Sequence, residues 1–182
     1  KYEQAKVLLP SGSVLIGIDE AGRGCLAGPV YAAAVSFKSD VDVKAYQDSK
    51  SLSEARRERL CDSIMDNHHF SVGIASPEDI ERLNILWAAM LAMKRAVLAL
   101  GMSHGHLLVD GNVKIPDLGG FEQTTVIKGD TKIAEISAAS IVAKVFRDKK
   151  MRELACDFPQ YGFELHKGYG TAEHLRKIKE NG

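Results

Sequence analysis

The stretch VLIGIDEAGRGCLAGPVYAAAVSF, residues 14–37, decides the fold. Two short apolar, partly β-branched runs, Val14 to Asp19 and Val30 to Phe37, flank a segment holding Gly22, Gly24, Gly28 and Pro29. Apolar runs of this length bounded by glycine and proline read as strands, so the segment predicts two strands around an unusual loop. Phe70 to Ala75 predicts a third strand.

Outward from this core the pattern changes period. Ser53 before Glu54 to Asn67 offers a helix cap, with Leu60 and Ile64 four apart on one face. A longer helix is expected from Ser76, with Pro77 in its first turn and Asp79 three residues beyond the cap. It continues through Leu83, Leu86, Trp87, Met90, Leu91, Met93 and Leu98 to Gly101, as one unbroken and mostly buried element. His106 to Val109 and Thr124 to Ile127 predict strands. Thr131 to Met151 predicts a long helix whose Ala134, Ala138, Ala139 and Ala143 form a small-residue stripe suited to close packing on a sheet. Thr171 to Lys179 would close the chain as a short helix. Three early strands followed by alternating helix and strand predict an α/β fold, a mixed sheet covered by helices, rather than a bundle or a β-sandwich.

Composition narrows the function class. The 182 residues predict a single domain spanning 1–182, with a C-terminal helical segment over about 152–182. Hydrophobic residues make up 45% and charged residues 26%, which excludes disorder and collagen-like structure. Lys+Arg and Asp+Glu are both 24, so any polyanion site must be local rather than a product of bulk charge. No apolar run is long enough to span a bilayer and the start lacks a signal-peptide layout, so a soluble, cytoplasmic protein is expected. Cys25, Cys61 and Cys156 form no CxxC pair and read as reduced, buried thiols.

Four carboxylates fall at the C-terminal ends of predicted strands: Asp19 and Glu20 after the first, Asp110 after Leu107-Leu108-Val109, and Asp130 after Val126-Ile127 at a helix start. In open α/β sheets that edge is where sites assemble. Any one of them alone would be an ordinary cap or turn former. Together they would repel by about 4 kcal/mol per pair at ~4 Å and an effective dielectric near 20, so something positive must compensate. Hard divalent cations take oxygen ligands, and Mg²⁺ suits an all-acidic set without His or Cys. The chemistry this favours is phosphoryl transfer or hydrolysis with two metals roughly 3.5–4 Å apart. Beside the first pair, Gly22-Arg23-Gly24 would let backbone amides approach a phosphate or sugar, an ordinary turn with a solvated Arg being the alternative.

Six segments, GIDEAGRGCLAGPV (17–30), DSKSLS (48–53), LNIL (83–86), LLVDGN (107–112), KGDTKIAEISAASIVAKVFRDKKM (128–151) and HKGYGT (166–171), resemble bacterial ribonuclease HII in order and over nearly the whole chain. The resemblance implies a ribonuclease H-like fold and an enzyme that hydrolyses the RNA strand of RNA/DNA hybrids; a monomer without membrane attachment is expected. It also implies cutting 5′ of single ribonucleotides in duplex DNA with Mg²⁺ or Mn²⁺, leaving a 3′-hydroxyl and a 5′-phosphate. By motif, Asp19, Glu20, Asp110 and Asp130 correspond to the family's metal-binding catalytic carboxylates. Gly22, Arg23 and Gly24 correspond to the loop that senses the ribose 2′-hydroxyl, and Tyr169 to the tyrosine that reads the RNA-to-DNA junction. That division has a physical reason: metals act on any phosphodiester, so selection of ribonucleotides must come from contacts to the 2′-hydroxyl. Tyr169 also fits a half-buried structural aromatic. Lys50 of the DSK segment is a candidate phosphate contact, with an exposed lysine after a turn as the competing account. His166 and His104 are given no role.

Two features depart from the family pattern. Cys25 stands where many relatives carry Pro, and the chain ends at Asn181-Gly182 where relatives often continue with a basic tail. Residues 131–182 hold ten Lys/Arg against seven Asp/Glu, consistent with a basic rim beside an acidic centre or with a solvated helix face over 144–152. Two rivals remain open at this level. One is a sugar or acetate kinase-like ATPase, whose two lobes 182 residues do not supply; the other is a non-catalytic nucleic-acid-binding module, which needs no set of carboxylates.

Overall fold

The structure, a computed structural model, describes residues 14–38, 46 and 52–182. Strands β1 (Leu15–Ala21), β2 (Val30–Ser36), β3 (His69–Ala75), β4 (Gly105–Asp110) and β5 (Phe121–Val126) form one sheet in the order β3-β2-β1-β4-β5. The first three pair antiparallel, and β4 and β5 run parallel to β1, giving the mixed sheet expected. Helices α1 (Glu54–Asn67), α2 (Pro77–Ala99), α3 (Ala134–Asp157), α4 (Phe163–His166) and α5 (Ala172–Asn181) complete the chain. Among the described residues no helix is long and apolar enough to cross a membrane.

Every residue of β2 is buried, because helices cover both faces of the sheet. Ile16, Ile18, Ala32 and Ala34 pack with Met93 and Val97 of α2 on one face. On the other, Ala33 and Val35 pack with Ile141, Val142 and Ala143 of α3 and with Cys61 and Ile64 of α1. Glycines let the helices come this close. A Cβ on Gly17 of β1 would lie 2.0 Å from the Glu135 carbonyl carbon of α3, and one on Gly73 of β3 would lie 2.1 Å from the Ala92 oxygen of α2. The alanine stripe of α3 is buried as expected, with Ala138, Ala139 and Ala143 wholly enclosed.

Three expectations are corrected. The helix after Ser76 is not continuous: Asn84 leaves helical geometry (φ 65°, ψ 167°), and its Oδ1 accepts from the amides of Leu86 and Trp87 at 3.0 and 3.3 Å. Asn84 thus caps a second helical segment inside α2. Trp87 and Leu98 are exposed (46% and 61%), because Ala88, Ala89, Ala92 and Ala96 occupy the face drawn against the sheet. Cys61 is buried as expected, but Cys25 is half-buried and Cys156 exposed. The segment after α3 also holds a short helix, α4, that the period of the sequence did not signal.

Candidate active site

Side chains alternate faces along a strand, and this places the first carboxylates. In β1, Ile16 and Ile18 face α2, so Gly17 and Asp19 face α3. In β4, Leu107 and Val109 pack towards α2, while Leu108 packs with Leu15 and Ile136 on the α3 side, the side Asp110 shares. The parallel register pairs Ile18 with Val109, so Asp19 and Asp110 lie one step further along adjacent strands on the same face.

They open onto a cleft of about 370 Å³ whose walls include Asp19, Glu20, Asp110, the Gly22-Arg23-Gly24 loop, Arg57, Ser140, Lys144 and Tyr169. Asp19 is 5% exposed, and its Oδ1 accepts from the Glu20 amide at 2.7 Å. Burial, then the negative charges of Glu20 and Asp110, hold the Asp19 carboxyl well above its ordinary pKa, partly offset by hydrogen bonds from the Ser140 hydroxyl and the Glu20 amide. Glu20 is raised as well, first by burial and against the pull of Arg23, whose Nη1 lies 3.6 Å from Glu20 Oε1. Arg23 is therefore an ion-pair partner of the acidic pair, not merely a solvated turn residue.

Asp130 is 2% exposed in the 3-10 turn Gly129–Thr131 that precedes α3, and it is not part of the cleft wall. Among the described residues, no three acidic, His or Cys side chains converge as a formed metal cage. Lys50 lies outside the described residues. His104 is exposed and bonded to Ser103, away from the cleft.

Beside the carboxylates the loop after β1 meets the segment carrying Tyr169. Cys25 and Tyr169 form an isolated β-bridge, and the Leu26 amide donates to the Gly168 carbonyl at 2.9 Å. Arg147 of α3, wholly buried, fastens both segments: its guanidinium donates to the carbonyls of Pro29 (3.0 Å), Ala27 (3.0 Å) and Lys167 (2.8 Å). Gly22, at φ 108°, is required here, since a Cβ would sit 2.3 Å from Arg147 Nε. The Tyr169 ring has Lys144 Nζ 5.2 Å and the Arg147 guanidinium 5.9 Å from its centre, yet remains 39% exposed to the cleft.

Sequence reading missed Ser140, Lys144, Arg147 and Arg57. Part of 144–152 reads as a solvated basic face, but Arg147, Asp148 and Met151 are buried because the segments after β1 and α4 fold over this end of α3. The available signal was a helix with cationic residues at 144 and 147, on the side continuing the alanine stripe.

Known proteins bear on this arrangement directly. The Ribonuclease HII family profile matches residues 16–182. Ribonuclease HII of Pelagibacter ubique is 50% identical over 169 residues, covering 93% of this chain and 90% of that protein. The Thermotoga maritima ribonuclease HII is also 50% identical, covering 93% and 69%. Among solved structures, the ribonuclease HII of an Archaeoglobus fulgidus PCNA complex superposes with a TM-score of 0.78 at 29% identity, covering 92% of this chain and 87% of that one. Ribonuclease H2 from Pyrococcus horikoshii gives 0.70 at 28%, covering 91% and 85%. With the family profile matching residues 16–182 and relatives 50% identical over 93% of it, the chain belongs to the ribonuclease HII family, nuclease hydrolases of the type 2 ribonuclease H class.

Proposed function

We propose that this endonuclease cuts the RNA strand of RNA/DNA hybrids and also cuts 5′ of a single ribonucleotide in duplex DNA, leaving a 3′-hydroxyl and a 5′-phosphate, and so removes ribonucleotides from DNA. The observation that carries this reading is one cleft lined both by carboxylates and by a glycine loop joined by a β-bridge to an exposed tyrosine. Cleavage chemistry and sugar recognition would then act on one phosphodiester.

The donor set fits a hard divalent cation, Mg²⁺ or Mn²⁺. Asp19, Glu20 and Asp110 offer oxygen only, and the Asp19 charge is disfavoured first by burial and then by the charges of the other two, which a bound cation would offset. Those three, with Asp130 from the turn behind Asp110, would hold it. Divalent cations so held would supply charge to the scissile phosphate and activate water in the two-metal manner. Ser140 and the Glu20 amide orient Asp19, and the Gly129 amide orients Asp110.

Gly22, Arg23 and Gly24 are assigned to the ribose 2′-hydroxyl, the group that distinguishes the substrate from DNA. Tyr169 is assigned to the following deoxynucleotide, whose sugar it can stack upon only when no 2′-oxygen crowds the ring. The experiment is incubation of a duplex carrying one ribonucleotide, with and without Mg²⁺, with the product ends mapped. Metal-dependent cutting 5′ of the ribonucleotide is expected, and Tyr169→Ala should slow it more than cleavage of a continuous hybrid. Cutting of the all-DNA control at the same rate would overturn the reading.

A further inference from the structure

Two buried histidines outside the cleft stand face to face. His166, at the end of α4, and His174, in the first turn of α5, stack with ring centres 4.2 Å apart and planes 18° from parallel. Phe163 meets both rings edge-on at 6.0 and 5.6 Å. Neither imidazole takes part in the proposed chemistry, yet both hold main-chain atoms of the segment between α4 and α5 that carries Tyr169.

Their hydrogen bonds fix how each ring is protonated. The Gly168 amide donates to His166 Nδ1 at 3.2 Å, so that nitrogen must be bare, and His166 Nε2 then carries the proton it donates to the Tyr161 carbonyl at 2.9 Å. His174 Nδ1 lies 2.9 Å from the Tyr169 carbonyl, an acceptor, so the proton sits on Nδ1. The two rings thus present Nδ1 in opposite roles, an acceptor on His166 and a donor on His174. One grips the residue before Tyr169 by its amide, and the other grips Tyr169 itself by its carbonyl. The local backbone adds the Tyr169 amide to the His166 carbonyl (2.9 Å) and the Thr171 amide to the Tyr169 carbonyl (2.8 Å).

We infer that the His166–His174 stack is a positioning device that sets the pose of Tyr169 in the cleft, and through it the preference for a ribonucleotide-to-deoxynucleotide junction. This rests on the assignment of Tyr169 to the junction made above. The loop after β1 fixes the segment through the Gly168 carbonyl, and the imidazoles fix it through the Gly168 amide and the Tyr169 carbonyl. Gly168, at φ 82°, has no room to shift towards the loop, since a Cβ there would lie 2.4 Å from the Ala27 oxygen. Loosening the imidazole attachment therefore lets the Tyr169 carbonyl turn while the catalytic carboxylates, on other strands, stay in place.

The test separates the donor from the ring. His174→Phe keeps an aromatic stack but removes the Nδ1 donor; His174→Asn loses the ring but sets an amide NH₂ near the Nδ1 position. Rates are measured on a duplex with one embedded ribonucleotide and on a continuous RNA/DNA hybrid. In His174→Phe the ratio of the two should fall about tenfold, the order of one aromatic contact to a nucleotide, with hybrid cleavage and Mn²⁺-induced thermal stabilisation retained. His174→Asn should keep most of the wild-type ratio, and His174→Phe should add nothing in a Tyr169→Ala background. A wild-type ratio in His174→Phe while Tyr169→Ala lowers it overturns the inference alone; so does equal loss in the Asn and Phe variants. No effect of Tyr169→Ala overturns the junction assignment itself. Should His174→Phe fail to fold, ¹⁵N spectra of the wild-type imidazoles decide: Nε2–H for His166 and Nδ1–H for His174 support the device, and the reverse tautomers overturn it.

Discussion

The amide of Gly129 donates a 2.6 Å hydrogen bond to Oδ1 of Asp110, so the carboxylate that ends β4 also anchors the turn carrying Asp130. One side chain thereby links two strand ends. A Cβ on Gly129 would come within 3.3 Å of that same oxygen and 2.5 Å of Ile136 Cδ1, which leaves the turn a single way to pass.

Asp110→Asn separates these two duties. The amide oxygen of asparagine can still accept from Gly129, so the fold and hybrid binding should persist. The charge needed beside Asp19 is gone, and cleavage should fall by at least ~100-fold, since even groups behind metal ligands cost 10–100-fold when lost. Asp19→Asn should behave alike, and Asp130→Asn should lose less, being outside the cleft wall. Steady-state rates with a parallel binding assay check this; wild-type turnover in Asp110→Asn would remove it from the site.

The raised pKa of Asp19 predicts a stability effect with a definite sign. A carboxyl held above its unfolded value contributes stability in full only below the ordinary carboxylate range, and the contribution is lost as pH rises through the raised value. The metal-free protein therefore loses stability at Asp19 as pH rises above the ordinary carboxylate range. Asp19→Asn should melt higher than the metal-free wild type at pH 7, with the difference shrinking as pH falls. Added Mn²⁺ should stabilise the wild type, by about 2.7 kcal/mol at a hundred times its dissociation constant, and the variant much less. Thermal melts over pH with and without metal report both.

Gly17 lies two residues before Asp19 on the strand face that packs against the helix carrying Ser140. Its absent Cβ is what allows the Glu135 backbone to sit on β1. Gly17→Ala should destabilise the protein by about 3 kcal/mol, the upper part of the usual range for overpacking, because backbone rather than a movable side chain is struck. By shifting α3 it should also weaken the Ser140 bond to Asp19, so activity at permissive temperature should fall with the melting temperature. Chemical denaturation and a rate at 20 °C test the pair of effects.

The sheet and its acidic edge were legible because both are written in short-range pattern. The apolar run at 30–37 follows Gly28-Pro29, those at 14–19 and 106–109 lead into Asp19 and Asp110, and period two then dictates which face these two carboxylates share. The break at Asn84 was not legible, since Leu83, Leu86 and Leu91 keep a helical spacing across it and only the Asn84 side chain reveals a cap. Arg147 was hidden for a different reason. Its three acceptors, at residues 27, 29 and 167, are main-chain carbonyls, which leave no residue-type signature to pair with an arginine. The histidine stack escaped notice likewise, because His166 and His174 meet only once α4 and α5 fold back on each other.

The three thiols should differ in reactivity in a way that reports on the cleft. Alkylation proceeds through the thiolate, so exposure and pKa set the order. Cys156 is exposed and should be modified first. Cys61 is buried against the sheet, and burial, aided by Asp62 and Glu58, pushes it up to about 12, leaving roughly one molecule in ten thousand as thiolate at pH 8. It should stay unlabelled until the protein unfolds. Cys25 is intermediate: burial raises it, while Arg147 and Lys144 pull the other way, and its bridge to Tyr169 places it beside the cleft. Bulk added there would wedge the loop after β1 away from Tyr169. Loss of activity should therefore follow labelling of Cys25 and not of Cys156, and a bound hybrid should protect Cys25 alone. A time course of iodoacetamide labelling read by peptide mass spectrometry, with activity sampled at each point, gives the order. Labelling of Cys61 in the folded protein as fast as Cys156 would contradict its burial, and activity that falls with Cys156 would place the sensitive surface elsewhere.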